Sequence, residues 1–300
     1  MFKKVGYALT TAFLRFLGFI GSLMSIKARS SFGKYLGRIM KIISPSRKRI
    51  ALDNLRHAFE GESRDLESIC GESFENLGIT LVELMSFPHL RAQDFHDYIK
   101  YDNIELLNEM YSRGKGLILL SGHFGNWELL AYSAGRFSGL PVTVIVKPQK
   151  NYFADKRLNG YRTLGGNKIV SMYHSARKIV TILKSNEALA LLADQAARRE
   201  ESVEIDFFGR SVSAFEAPAR LALRFGVPIV MGFAVRQPDA TYRVRLREVT
   251  FDDLRYDSEG VLELTRRHNK ILEEEIRLHP GLWAWQHRRW KRILPGRNAG

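Results

Sequence analysis

From Leu117 onward, short apolar runs alternate with stretches of helical periodicity, and that alternation restricts the fold more than any other feature of the chain. "GLILLSG" (116–122) reads as a short buried strand, followed by "VTVIV" (142–146), "NKIVSM" (167–172), "ALALLAD" (188–194), "PIVMGFAV" (228–235) and the cleanly alternating "TYRVRLREV" (241–249). "SARKIVTILKSN" (175–186), "APARLALRFG" (217–226) and "LELTRRHNKILEEEIRLHP" (262–280) separate most of them as helices. Further upstream, "SPSRKRIALDNLRHAF" (44–59) opens with Ser-Pro and then spaces Ile50, Leu52, Leu55 and Phe59 for an amphipathic helix, and "LESICGESFENLGITLVELM" (66–85) supplies another. Strand alternating with helix predicts an α/β fold, with helices on both faces of a mixed, mainly parallel sheet. Gly61–Asp65 and Arg198–Ser202 read as surface loops, and no internal repeat divides the 300 residues. The expected organisation is an N-terminal hydrophobic helix, 1–30, and one catalytic-sized domain, 31–300.

The N-terminal segment "VGYALTTAFLRFLGFIGSLMSI" (5–26) holds a single charge, Arg15. Its length suits a bilayer crossing, and Arg15 near its centre would be expensive there, so the expectation is a membrane-spanning or interfacial helix with Arg15 reaching toward headgroups. Charge points the same way. The chain carries 46 Lys and Arg against 32 Asp and Glu, and its first acidic residue is Asp53. Such a field attracts nucleic acid or acidic lipid, and no nucleic-acid-reading motif is present to favour the former. Basic residues from Lys27 to Arg49 predict that the main domain lies on the cytoplasmic side of a bacterial inner membrane. The lone cysteine, Cys70, excludes an intramolecular disulfide, and no Cys/His spacing suits zinc, so no metal is expected.

The stretch "LILLSGHFGNWELL" (117–130) sets His123, Asn126 and Glu128 where an apolar strand gives way to an apolar helix. Ligands of such sheets bind beyond the carboxyl ends of strands, where His123 falls. Gly122 and Gly125 permit a tight turn there, and Asn126 or amides near Gly125 would be suited to an anion or a developing oxyanion. His123 and Glu128 on one continuous helix would diverge by about 140°, so the histidine belongs in the turn, reaching back to a carboxylate in the first helical turn. Held that way it is a general base, and its nucleophile must come from outside, because the chain has no G-x-S-x-G elbow. The plainer alternative is a helix-start glutamate beside a locally packed histidine. Asp194 and Gln195 also follow a strand, a position suited to a pocket. Arg198 and Arg199 fit a phosphate or an exposed charged loop, and Arg288 and Arg289 beside Trp285 and Trp290 fit headgroup contact or a solvated end. His174, His268, His279 and His287 read as structural or exposed.

"GHFGNWE" resembles the histidine, four intervening residues and acidic residue of the glycerolipid acyltransferase-like superfamily, in the form found in the bacterial lipid A biosynthesis acyltransferases. "ALLADQAARR", "VEIDFFGRSVSAFEAPARLALRFGVPIV" and "WAWQHRRWKR" resemble that family's Asp-Gln, Phe-Phe-Gly and C-terminal Trp/Arg segments in the same order. The resemblance implies acyl transfer from acyl carrier protein, with acyl-CoA as an alternative donor, to a hydroxyl of an anionic phosphorylated glycolipid. It implies His123 as general base with Glu128 as its acidic partner, Arg162 on phosphate or the oxyanion, and Gly125, Asn126, Asp194, Gln195, Arg198 and Arg288 as substrate contacts, with no cofactor. A lipid hydrolase, a related glycolipid or aminolipid acyltransferase and a membrane-associated nucleic-acid-binding protein are the competing classes.

Overall fold

The computed structural model describes residues 2–90 and 92–290. Four helices come first: α1 (Phe2–Ser22), α2 (Ile26–Ile43), α3 (Pro45–Ala58) and α4 (Leu66–Ser86). The remainder alternates as α5 (Ala92–Tyr98), β1 (Ile99–Tyr101), α6 (Glu105–Ser112), β2 (Leu117–Ser121), α7 (Trp127–Ser138), β3 (Val142–Val146), α8 (Tyr152–Thr163), β4 (Lys168–Ser171), α9 (Ser175–Lys184) and β5 (Ala188–Leu192). It continues with β6 (Ser202–Phe207), β7 (Arg210–Phe215), α10 (Ala217–Phe225), β8 (Ile229–Arg236), β9 (Tyr242–Val249) and α11 (Ser258–Leu278).

Seven strands form one sheet in the order β1-β9-β8-β2-β5-β3-β4, and every pairing is parallel except β8 with β9. β6 and β7 make a separate antiparallel hairpin. All six strands read from the sequence are present, which makes this an α/β fold with a mixed, mostly parallel sheet flanked by helices. β2 lies between β5 and β8, so both its edges are paired, and helices cover both its faces: Ile118 and Leu120 enter a core with α3, α10 and α11, while Leu117 enters a second core with α4 to α7. A strand buried on both sides must be apolar throughout, and that is why "LILL" lacks the alternation of β9.

α1 corrects one expectation. Although it runs for 21 residues, no helix among the described residues is long and apolar enough to cross a membrane. Within it Arg15, two threonines and three glycines interrupt the apolar side chains. Two of those glycines, Gly18 and Gly21, face α4, where a Cβ would lie 2.2 Å from the Met85 carbonyl oxygen and 2.4 Å from Ser86 Oγ respectively. Arg29, buried in α2, donates from Nε to the Gly21 carbonyl and from Nη2 to that of Met24, closing the end of α1 against the protein. The expectation of a membrane-spanning helix is therefore corrected, and the inner-membrane location loses the span on which it was built. Leu9, Phe13 and Phe16 remain exposed on the side of α1 away from α4.

α4 is the brace between this helical layer and the seven-stranded sheet. It meets α2 at backbone distance: a Cβ on Gly33 would lie 2.4 Å from Ile79 Cα, and one on Gly78 would lie 2.3 Å from the Gly33 carbonyl oxygen. From the same helix Asn76, Thr80 and Glu83 reach into the turn after β2.

Candidate active site

The turn after β2 is fixed from three sides. Ser121 Oγ donates to the Gly232 carbonyl at 2.7 Å, tying the strand end to β8. Gly125 adopts φ +57°, and a Cβ there would lie 1.8 Å from the Ala234 carbonyl oxygen, so only glycine fits. Its N–H donates to the Leu282 carbonyl, and its own carbonyl accepts from Asn76 Nδ2 and Thr80 Oγ1. Asn126 is wholly buried: Oδ1 accepts from the Leu129 N–H as the N-cap of α7, and Nδ2 donates to Glu83 at 2.5 Å. Glu83 also accepts from Tyr98 and Tyr242, and burial raises its pKa against the opposing pull of Arg236 and those hydrogen bonds. The Gly125 amide and the Asn126 side chain, expected as oxyanion donors, are thus bonded into the scaffold.

With the turn held, His123 projects from it at the carboxyl end of β2. Its partner is Asp194, just past β5. His123 Nδ1 lies 2.8 Å from Asp194 Oδ1, and the His123 backbone N–H donates to Oδ2 at 2.9 Å. Trp283 Nε1 donates to Oδ2 as well, also at 2.9 Å. Burial alone would raise the Asp194 pKa, but the His123 charge and these hydrogen bonds override it and hold the carboxyl well below the usual range. Asp194 is therefore ionised and takes the Nδ1–H, which leaves Nε2 as the basic nitrogen. For His123, burial disfavours the charged ring, yet Asp194 first and Glu128 second outweigh it, and the pKa rises.

Glu128 sits in the first turn of α7 and makes a bidentate pair with Arg162 of α8, Nε to Oε2 at 2.8 Å and Nη2 to Oε1 at 2.6 Å. Arg162 Nη1 also donates to Asn159 Oδ1. Glu128 thus acts on His123 through its field, while the direct hydrogen bond belongs to Asp194. Gln195, next in the chain, lies on the other side of the ring: its Nε2 is 3.4 Å from His123 Nε2 and 3.5 Å from His287 Nε2. Arg198 and Arg288 are exposed.

The C-terminal segment contributes more than its sequence suggested. Phe124 bridges to Trp283 and the Ala284 N–H donates to the His123 carbonyl, so residues 282–285 run along the turn after β2. His287, read as structural or exposed, stands 5.2 Å from the His123 ring centre. Arg289 is the buried arginine of its pair: Nη1 donates to the Ser213 carbonyl at 2.8 Å and its guanidinium stacks over Phe207. Among the described residues no group of three His, Cys, Asp or Glu is placed to hold a metal.

The chain as a whole has counterparts among known proteins. The family model for bacterial lipid A biosynthesis acyltransferases matches residues 1–292. The chain belongs to that family. It is 27% identical over 267 residues to the lipid A biosynthesis palmitoleoyltransferase of Escherichia coli K12, covering 86% of this chain and 83% of that one. A lipid A biosynthesis acyltransferase of Shigella flexneri matches to the same extent. Across 154 residues it is also 27% identical to a phosphatidylinositol mannoside acyltransferase of Mycolicibacterium smegmatis, covering 49% of this chain and 48% of that one. As a member, this chain carries the general acyltransferase chemistry of the family.

Proposed function

We propose that the protein transfers an acyl group from a thioester on acyl carrier protein to a hydroxyl of a phosphorylated lipid A precursor, with His123 as general base. One observation supports the reading: His123 presents an unprotonated Nε2 at the end of β2 while ionised Asp194 holds Nδ1. Nε2 removes the hydroxyl proton as the oxygen attacks the thioester carbonyl, and the C–S bond breaks as the tetrahedral intermediate collapses. The thiolate then takes the proton that His123 received. Asp194 fixes the tautomer. Glu128 is the second acidic partner, stabilising the imidazolium through its field while Arg162 keeps it in place. Gly125 and Asn126 serve by shaping the turn, and Arg198 and Arg288 are assigned to the acceptor phosphates. No cofactor enters these steps; acyl-CoA is the alternative donor.

The name of the E. coli relative, matched along most of both chains, supports the lipid A acceptor. Similarity to the mannoside acyltransferases over half the chain favours a second reading, in which the acceptor is another glycolipid. The test is transfer from radiolabelled acyl carrier protein thioesters to detergent-dispersed acceptors by purified protein, with His123→Ala alongside. Labelled lipid A product, diminished by roughly 100-fold or more in His123→Ala, is expected. Product only with mannosylated phosphatidylinositol would move the acceptor, and undiminished transfer by His123→Ala would refute the base.

A further inference from the structure

The tetrahedral intermediate of this reaction carries an oxyanion, and several donors around His123 are already committed. The Gly125 N–H is bonded to Leu282, Asn126 Nδ2 to Glu83, Trp283 Nε1 to Asp194, and Arg162 to Glu128 and Asn159. Gln195 differs. Asp194 and Gln195 are consecutive residues that bracket one imidazole, the carboxylate at Nδ1 and the carboxamide at Nε2. Because Asp194 takes the Nδ1 proton, His123 Nε2 carries a lone pair, and the Gln195 NH2 is the end of the amide that belongs beside it.

Resting on the acyl-transfer reading, we propose that the Gln195 carboxamide is the oxyanion donor and that His287 is the positioning residue that aims it. The carboxamide nitrogen lies 3.5 Å from His287 Nε2 and 3.4 Å from His123 Nε2, and with both rings carrying their proton on Nδ1 its two N–H groups serve these two acceptors over long contacts. Contacts of that length are readily displaced. When the acceptor hydroxyl docks on His123 Nε2, it takes the place of the second proton and frees that N–H. As the O–C bond forms, the carbonyl π pair moves onto oxygen beside the freed donor. When that pair returns, the C–S bond breaks and the thiolate leaves with the proton from His123. Gln195 never changes its protonation, and it stabilises charge present only in the transition state and intermediate.

This role requires His287 to remain an acceptor. Burial, the His123 charge and the nearby Arg47 and Lys147 push its pKa down, Asp194 pulls it up, and the balance lies at about 4. The imidazole is therefore neutral throughout the range in which His123 works as a base. Its anchor is firm, because Arg47 Nη1 donates to the Gln286 carbonyl and Asn54 Nδ2 to the carbonyls of Trp285 and His287.

The experiment measures kcat for acyl transfer beside affinity for a thioether donor analogue, which lacks the carbonyl and forms no oxyanion. Gln195→Ala is expected to lose about 100- to 1000-fold in kcat, with thioether affinity within about twofold and an unchanged Tm. If the alanine variant fails to fold, Gln195→Met, of similar length and without donors, shows the same loss. His287→Leu is expected to approach the loss of Gln195→Ala, His287→Asn to restore activity to within about tenfold by supplying a carbonyl acceptor, and the double variant to be no worse than Gln195→Ala alone. Retention of kcat within about threefold in Gln195→Ala, while His123→Ala is inactive, overturns the donor and leaves acyl transfer standing. Equal weakening of thioether binding and kcat overturns it too, as a packing effect. If the wild-type protein transfers no acyl group, the acyl-transfer reading fails and this inference with it.

Discussion

His123 is set by two opposing effects, burial that disfavours its charge and an ionised Asp194 that favours it, and the second prevails. The groups acting on the ring are Asp194, Glu128, Arg162 and His287. A general base works only when neutral, so a raised pKa means that activity is lost as pH falls through a value above the usual ~6.5 of histidine. Profiles of kcat/KM against pH should show that acidic limb. Asp194→Asn should move it to lower pH while depressing the plateau by about 1000-fold or more, because an amide no longer enforces the tautomer. A limb unmoved by Asp194→Asn would separate the carboxylate from the base. Glu128 and Arg162 pose a different question, since their side chains are only 9% and 16% exposed and each is the other's charge partner. Removing one strands the other, and Arg162→Met should cost about 3 kcal/mol in urea unfolding. The double variant Glu128→Gln/Arg162→Met should recover part of that loss; if it is additive, the pair is not coupled.

Five strands are readable because each is a short apolar run bounded by glycine, proline or polar residues, as buried strands require, and β9 because it alternates. β1, with three residues, is too short to produce a period. The β6–β7 hairpin does alternate, with Val203, Ile205 and Phe207 facing Val212 and Ala214, but its turn disguises it. Phe208 and Gly209 both have positive φ, as a two-residue hairpin turn requires, and phenylalanine is not a residue that announces such a turn. For α1 the reverse holds: its length and its one central charge suggest a span, while Gly18 and Gly21, three apart on one face, mark a helix that lies against another helix. Close helix contact yields a prediction. A Cβ on Gly37 would stand 2.2 Å from the Phe74 carbonyl oxygen, so Gly37→Val must part α2 from α4. We expect a loss of about 3 kcal/mol by urea denaturation, with kcat falling too, because α4 also braces Gly125 and Asn126. Gly6→Ala, with nothing within 4 Å of its Cβ, is the control and should not destabilise. Equal behaviour of the two variants would mean that the close approach is not required.

Viewed as a whole, the molecule assembles its proposed catalytic group from parts that no local spacing connects. His123 follows β2 and Asp194 follows β5, 71 residues later, and they meet only because β2 and β5 are neighbours in the sheet. His287 and Trp283 arrive from beyond α11. A motif read along the chain therefore nominated Glu128, five residues away, as the carboxylate at the ring, while strand order delivered Asp194. Net charge, by contrast, was fully legible, and its consequence belongs to the entire surface. With a formal charge of +14 and no acidic residue before Asp53, the protein should draw a phosphorylated acceptor toward it over distances that salt screens. His123, Asp194 and Gln195 sit largely shielded at the strand ends, so ionic strength should leave the chemical step alone. Raising salt from about 20 to about 300 mM, which shortens the screening length several-fold, should lower kcat/KM for the phosphorylated acceptor by roughly tenfold with kcat unchanged. The dephosphorylated acceptor should change by less than about twofold over the same range. If both acceptors respond alike, the basic surface does not recognise the phosphates, and Arg198 and Arg288 lose their assignment.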